Sequence, residues 1–278
     1  MMVCEVGGFL VDPSFADPLG GVSAHSWDSM TVNHFYSSRH WLDFCAAMSP
    51  VPVGALTAAL PSGGLVALPV SEVDGVTNSF YDWTAILTAR GLPAPAPAGL
   101  LAGPQCGYQA HLLRTPGAGA RDAAACLRAA LDEIALPVVA MYLGGDDVAA
   151  LKDDGVRALP VLLNVDACMR VPEEGWEAWL SSLGGRRREM VRREMRRFAA
   201  AGARWVHAGI ESTEAKALRG AELRPLWLLD LSRDSPLTDQ AEVVRAANSR
   251  ILASISTTPF LRQAWNLGED ALDWFGPR

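Results

Sequence analysis

Seven arginines stand between positions 186 and 197, in the stretch GGRRREMVRREMRRF, although the chain of 278 residues carries a formal net charge of -7. A guanidinium group binds phosphate and carboxylate groups through paired N–H donors. The run therefore indicates a phosphate site, a nucleic-acid patch or the solvated face of an ordinary helix. Because the rest of the chain is acidic, a nucleic-acid interface over the whole surface is disfavoured, whereas a local anion site is compatible with the charge distribution.

The arginine run has the spacing of an amphipathic helix. Val191, Met195 and Phe198 fall on one face, which we expect to pack on the core. Gly184–Gly185 break the preceding helix, so the first arginines lie in a first turn, where the helix dipole disfavours each cation by about 0.3 to 1 kcal/mol. A bound anion would reverse that balance, and salt bridges within the chain are the alternative. The candidate donor-binding residues are Arg186, Arg187, Arg188, Arg192 and Arg193.

The segment NSFYDW, residues 78 to 83, places an acid between two aromatic residues. Such a cluster after a strand suits a substrate pocket, with Tyr81 and Trp83 contacting substrate and Asp82 acting as catalytic base or amine ligand. The alternative is a buried aromatic turn in which Asp82 caps a helix. Tyr108, in GPQCGY, is a further candidate for substrate contact, and a tight turn explains its glycines equally well.

Several common site signatures do not fit the sequence. The glycine segments GGDDVAAL and SSLGGRRRE match neither GxGxxG nor GxxxxGK followed by Ser or Thr, and the hydrolase pentapeptide GxSxG is missing. The cysteines are odd in number and widely spaced, which indicates reduced thiols rather than a disulfide framework or a zinc site. We expect no bound cofactor or metal, no membrane-spanning segment and a cytoplasmic location. His40, which precedes Trp41, and His207, in an apolar strand, we expect to be hydrogen-bonded structural residues.

Alternating strand and helix patterns predict an α/β fold. Helices are expected at 37–48, with Trp41, Phe44, Cys45 and Met48 facing inward, and at 120–135, and a hairpin turns at Pro61–Gly64. The segment ELRPLWLLDL reads as a helix. These patterns suggest an irregular leader (1–30), a first lobe (31–150) and a second lobe (151–278).

Three segments carry a family resemblance. HFYSSRHWLDF, LLAGPQCGY and WLSSLGGRRREMVRREMRRFAAAG, in this order along the chain, resemble the GNAT-like acyltransferases of the Fem-type peptidyltransferase group and their acetyltransferase relatives. The resemblance covers about residues 27 to 205. It implies two GNAT-like lobes around a cleft, the second of them shortened or divergent here, and transfer of an acyl group to an amine.

The donor is the open question within this resemblance. The acetyl-CoA loop of ordinary GNAT enzymes has the form Q/R-x-x-G-x-G/A, and QCGYQA has the wrong spacing for it. That favours an aminoacyl group carried by aminoacyl-tRNA and moved onto the amine of a peptide or small metabolite. The alternatives are an acyl-CoA-dependent N-acyltransferase and a non-catalytic scaffold with a degenerate second lobe.

Overall fold

The hairpin expected at Pro61–Gly64 opens the sheet of this computed structural model. Strands β1 (Val53–Ala59) and β2 (Leu65–Val73) pair antiparallel around that turn. Gly64 has a φ of +95°, and a Cβ atom there would lie 2.7 Å from Oγ1 of Thr115, so only glycine fits the position. The side chain of Thr115, from a later part of the chain, therefore packs directly against this turn.

The remaining elements alternate along the chain as expected for an α/β protein. The structure describes residues 19, 21–32, 34–48, 52–75, 78–103, 105–153, 158–170, 176–182, 184–186, 188–189, 192, 205–267 and 272–275. The further strands are β3 (Gly99–Ala102), β4 (Leu113–Arg114), β5 (Val138–Leu143), β6 (Val161–Arg170), β7 (Trp205–His207) and β8 (Glu222–Asp230). The helices are α1 (Ala24–Met30), α2 (Arg39–Met48), α3 (Trp83–Ala89), α4 (Ala120–Leu131), α5 (Gly145–Asp153), α6 (Trp176–Ser182), α7 (Thr213–Leu218), α8 (Ala241–Ile255) and α9 (Pro259–Ala264), with 3-10 turns at Phe35–Ser37 and Leu272–Phe275.

Two expectations for the N-terminal part need correction. Residues 24–30 of the supposed irregular leader form α1, whose N-terminus is capped by the side chain of Ser23. Helix α2 is present, but Phe44 and Met48 of its expected inner face are 50% and 70% exposed. Cys45 of the expected face is buried, together with Leu42, because α2 packs against α1 and the β1–β2 hairpin through this adjacent stripe.

Strand β8 corrects the interpretation of ELRPLWLLDL as a helix. It lies inside the sheet, antiparallel to β5 on one side and to β6 on the other. Every residue from Pro225 to Asp230 is buried. A strand covered on both faces shows no alternation of polar and apolar residues, and leucine and arginine are good helix formers, so the local pattern gave the wrong element.

One sheet unites the described strands on both sides of residue 150. Its order is β1-β2-β3-β5-β8-β6-β7, with β4 paired to β2 beside β3. β3 and β5 are parallel, and the other neighbouring pairs are antiparallel. β6, β7 and β8 thus extend the sheet begun by the first part of the chain. The division into a first lobe (31–150) and a second lobe (151–278) stays a prediction.

Helices cover both faces of this sheet, as β5 illustrates. Val138 and Ala140 belong to the apolar cluster that includes α4 and α5. Val139 and Met141 belong to a second cluster, which includes α3 and α8. This division follows from the period of two in a strand. Within the part of the chain that the structure describes, no helix has the length and apolar character needed to cross a membrane.

Candidate functional site

The parallel strands β3 and β5 separate after three paired residues. Pairing runs from Leu100 with Val138 to Ala102 with Ala140 and then stops. The backbone N–H of Gly103 still donates to the carbonyl of Pro69 in β2 over 2.7 Å, and the N–H of Ala110 donates to the carbonyl of Tyr142 over 3.1 Å. Residues 105–109, here called the excursion, lie outside the strands between these two points. Parallel strands that diverge leave a crevice at the ends of their hydrogen-bonded region, and such crevices commonly hold ligands.

A cleft of about 1030 Å³ lies beyond this point, with Gln109 of the excursion and Gly144, directly after β5, on its wall. Its wall includes the chain after β4, the start of α5, the middle of β6 and β8, and the loop before the first 3-10 turn. The cleft volume is in the range that accommodates a cofactor-sized ligand. The side chains used below are those of His34, Gln109, His111, Asp147, Asp166 and Cys168.

A glycine loop forms one wall of the cleft. Residues 114–119 read RTPGAG, which fits Q/R-x-x-G-x-G/A; the spacing mismatch of QCGYQA therefore does not mean that the chain lacks this pattern. The loop follows β4 directly and leads into α4, whose N-cap is Gly119 without a capping side chain. Thr115 anchors the loop to β2, because its backbone N–H donates to the carbonyl of Leu65 over 3.0 Å. Gly117 has a φ of +85°.

Two histidines and an aspartate meet beside this loop. The rings of His34 and His111 lie 4.0 Å apart between centroids. Nδ1 of His111 is 3.1 Å from Oδ2 of Asp147, near the start of α5. Burial, followed by the nearby His111, lowers the pKa of His34 to about 4. His34 is therefore neutral at pH 7, and an Asp147–His111 hydrogen bond fixes the second imidazole.

A buried carboxylate occupies another part of the cleft. Asp166 on β6 is 2% exposed and accepts hydrogen bonds from Nε2 of Gln109 at 2.7 Å and from Sγ of Cys168 at 3.1 Å. Burial and then the charge of Asp166 raise the pKa of Cys168 to about 12, so this thiol stays protonated. Burial and Asp166 also raise the pKa of Tyr36. Asp166 thus acts on both side chains, and Arg224 on the same wall of the cleft opposes its effect at Cys168.

The NSFYDW residues lie away from the cleft. Oδ1 of Asp82 accepts from the backbone N–H of Ala85 over 2.8 Å and caps α3. Trp83 is 1% exposed and its indole donates to the carbonyl of Ala96. Tyr81 donates to the carbonyl of Gly107. These three side chains border a separate hollow of only about 10 Å³. The geometry matches the alternative interpretation, an aromatic turn with a capping aspartate, and catalysis by Asp82 stays a prediction.

Tyr108 lies next to the cleft rather than among the side chains that line it. Its ring packs edge-on between Tyr36 and Tyr142, with centroids 6.5 Å and 6.3 Å away. It belongs to the excursion, and its neighbour Gln109 does reach the cleft. Tyr108 therefore supports the wall, and direct substrate contact by Tyr108 stays a prediction.

Two described arginines of the run, Arg188 and Arg192, make contacts within the chain. Arg188 donates from Nε to the carbonyl of Leu180 over 3.0 Å and so holds the end of α6. Arg192 lies 3.7 Å from Glu177 and from Glu189. Arg186 is exposed, and Arg187 and Arg193 lie outside the described residues. Arg186, Arg188 and Arg192 do not line the cleft. The contacts of Arg192 match the salt-bridged alternative, and donor binding by the arginines of the run stays a prediction.

No protein-family model, no curated protein and no solved structure matches the chain. Among the residues that the structure describes, no cluster of three histidine, cysteine or acidic side chains could hold a metal ion. Function must therefore be argued from the chemistry of the cleft.

Proposed function

We propose that this protein transfers an acyl group from an acyl-CoA thioester to an amine. The observation that carries the proposal is the loop Arg114–Gly119, which fits the acetyl-CoA pattern, opens α4 and lines the cleft. Acyl-CoA is the alternative to aminoacyl-tRNA as the donor. The wrong spacing of QCGYQA favours aminoacyl-tRNA, but the loop at residues 114–119 has the required spacing and removes that reason. The resemblance to GNAT-like acyltransferases supports the same reaction class.

The loop has the physical properties of a phosphate site. α4 has twelve residues, and the amides of its first turn have no capping side chain from Gly119. Free amides and the positive end of the helix dipole favour an anion at this position. Gly117 leaves room for close approach of a phosphate, because no atom lies within 4 Å of an added Cβ, whereas a Cβ at Gly119 would lie 3.2 Å from Oδ2 of Asp122. Arg114 on the cleft wall adds a positive charge. Asp122 in the first turn opposes anion binding in part.

The histidine pair supplies a proton acceptor for the amine. An amine attacks a thioester carbonyl only after it has lost a proton, and the resulting ammonium group loses another. With Nδ1 of His111 donating to Asp147, Nε2 is the acceptor nitrogen. Because His34 is neutral, His111 takes up a proton without a second positive charge at 4.0 Å. Asp147 stabilises the imidazolium that forms.

The buried carboxylate points to the charge of the acceptor. The Asp166 side chain lies on the wall of the cleft, where it accepts hydrogen bonds from Gln109 and Cys168. A carboxylate in such a place attracts a protonated amine and disfavours an acidic acceptor. We therefore include a basic amine, of a peptide or a small metabolite, in the proposal. A cytoplasmic location, expected from the reduced cysteines, belongs to it as well.

Donor binding can be tested at the glycine loop with a matched control. Gly117→Asp adds a negative charge beside the donor phosphates, and we expect acetyl-CoA to bind at least tenfold more weakly by titration calorimetry. Gly91→Asp is the control, because Gly91 also has a positive φ (+73° against +85°) and no atom within 4 Å of an added Cβ, and it does not line the cleft. Equal weakening in both variants, or no binding of acetyl-CoA to the unaltered protein, would contradict the proposal.

Catalysis needs a separate measurement. Thiol release from acetyl-CoA in the presence of basic amines should fall about 100-fold in kcat for His111→Gln, since a positioned general base contributes roughly 10² to 10⁴. Acetyl-CoA affinity should stay the same, and the exposed His40→Gln should behave as the unaltered protein. If charged tRNA binds with strong salt dependence while acetyl-CoA does not, the aminoacyl donor is correct. If neither binds, the scaffold alternative is correct.

A further inference from the structure

Two cysteines from distant parts of the sequence meet where α2 packs against the excursion. Cys45 on α2 and Cys106 in the excursion have their sulfur atoms 2.8 Å apart. Both are reduced in the structure, as are Cys126 and Cys168. Two thiols in contact at this distance need only a small movement to reach the bond length of about 2.05 Å that a disulfide has.

A second contact fixes the relative position of the same two segments. The indole of Trp41, one turn before Cys45 on α2, donates to the carbonyl oxygen of Cys106 over 3.0 Å. Successive turns of one helix face thus hold both the backbone and the side chain of Cys106. A pair held on two points has a high effective concentration, which favours bond formation between the two sulfurs over reaction of either with solvent species.

We propose that Cys45 and Cys106 form a reversible disulfide that clamps the excursion to α2. The oxidant is a small disulfide of the glutathione class. This inference does not depend on the proposed acyl transfer, because it concerns a covalent bond that can be measured directly.

The order of the two steps follows from exposure. Cys106 is half-buried and Cys45 is 1% exposed, so an incoming disulfide meets Cys106 first. The Cys106 thiolate attacks one sulfur of glutathione disulfide, the S–S bond of that molecule breaks, and one glutathione thiolate leaves. The Cys45 thiolate then attacks Sγ of Cys106, and the second glutathione thiolate leaves. Two protein thiols are oxidised by two electrons, and their protons end on two reduced glutathione molecules.

The surroundings of Cys45 determine how the second step depends on pH. Burial, and then the hydrogen bond to Cys106, raise the pKa of the Cys45 thiol. Its thiolate is therefore scarce at neutral pH, and closure of the disulfide should become faster as pH rises. The apolar cluster around Cys45, which includes Trp27 and Leu42, explains the burial.

The test is oxidation by glutathione disulfide in a Cys4→Ser background, because Cys4 lies outside the described residues. After oxidation, acid quenching and alkylation, we expect two thiols to remain alkylatable and two to be lost. Mass spectrometry should show the loss of two hydrogens and a crosslinked pair of peptides containing residues 45 and 106. Dithiothreitol should restore all four thiols.

Single variants distinguish the clamp from general thiol oxidation. Cys45→Ser should stop at a stable glutathione adduct on Cys106, and Cys106→Ser should leave Cys45 unmodified. Cys168→Ser is the matched control, a half-buried cysteine that should leave the crosslink intact. If Cys45→Ser does not fold, Cys106→Ser still tests the proposal, because Cys106 is more exposed and its substitution should be tolerated. A persistent glutathione adduct in the parent, or a crosslink through Cys126 or Cys168, would overturn the proposal.

Discussion

At the scale of single residues, His34 makes the free energy of unfolding depend on pH. Its pKa is lowered from the ordinary value near 6.5 to about 4, first by burial and then by His111. Between these two values the unfolded chain binds a proton at His34 that the folded protein does not bind. The free energy of unfolding must therefore fall as pH decreases from about 6.5 to about 4.

We expect His34→Asn to flatten this pH dependence. A difference of one bound proton changes the free energy of unfolding by at most about 1.4 kcal/mol per pH unit. His34 should contribute less than this, because it is only partly buried. Urea unfolding of both proteins at several pH values from 7 to 4 gives the difference in slope. The exposed His25→Asn should keep the slope of the unaltered protein. A slope that is the same in His34→Asn would show that His34 is protonated in the folded cleft.

At the scale of elements, β8 determines whether the sheet is continuous. Leu228 is fully buried in this strand, between β5 and β6. Leu228→Ala should lower the free energy of unfolding by about 2 to 5 kcal/mol, because it removes buried methyl groups and leaves a cavity. Leu218, which is 47% exposed at the end of α7, is the matched control, and its change to alanine should cost less than about 0.5 kcal/mol. Equal costs in urea unfolding would contradict the central position of β8.

The sequence predicts those elements whose pattern is set by their own residues. The hairpin around Pro61–Gly64 and the helix begun near residue 120 are confirmed, since turn glycines and a helical period act locally. β8 was misread because its burial comes from neighbours distant in sequence. The site shows the same limit: RTPGAG was readable as a pattern, yet only the fold brings His34 and Asp147 to His111 beside it.

At the scale of the whole molecule, the sheet joins segments from both predicted lobes. β5, from before residue 150, pairs along β8 from after it. Separate unfolding of two lobes would need this pairing to break first. We therefore expect a single thermal transition, with the same midpoint by tryptophan fluorescence and by far-ultraviolet circular dichroism. Two resolved transitions would support the division at residues 31–150 and 151–278.

The central place of β8 also has a consequence for synthesis of the chain on the ribosome. β5 and β6 both pair with β8, which begins about eighty residues after β5 ends and about fifty residues after β6 ends. At ordinary elongation rates the open edge therefore lasts roughly 4 to 16 seconds for β5 and roughly 3 to 10 seconds for β6. Open edges made of apolar residues are templates for pairing with other chains. The nascent protein is thus most prone to aggregate in the interval before residues 222–230 emerge, and a chaperone that shields β5 and β6 would act in that interval.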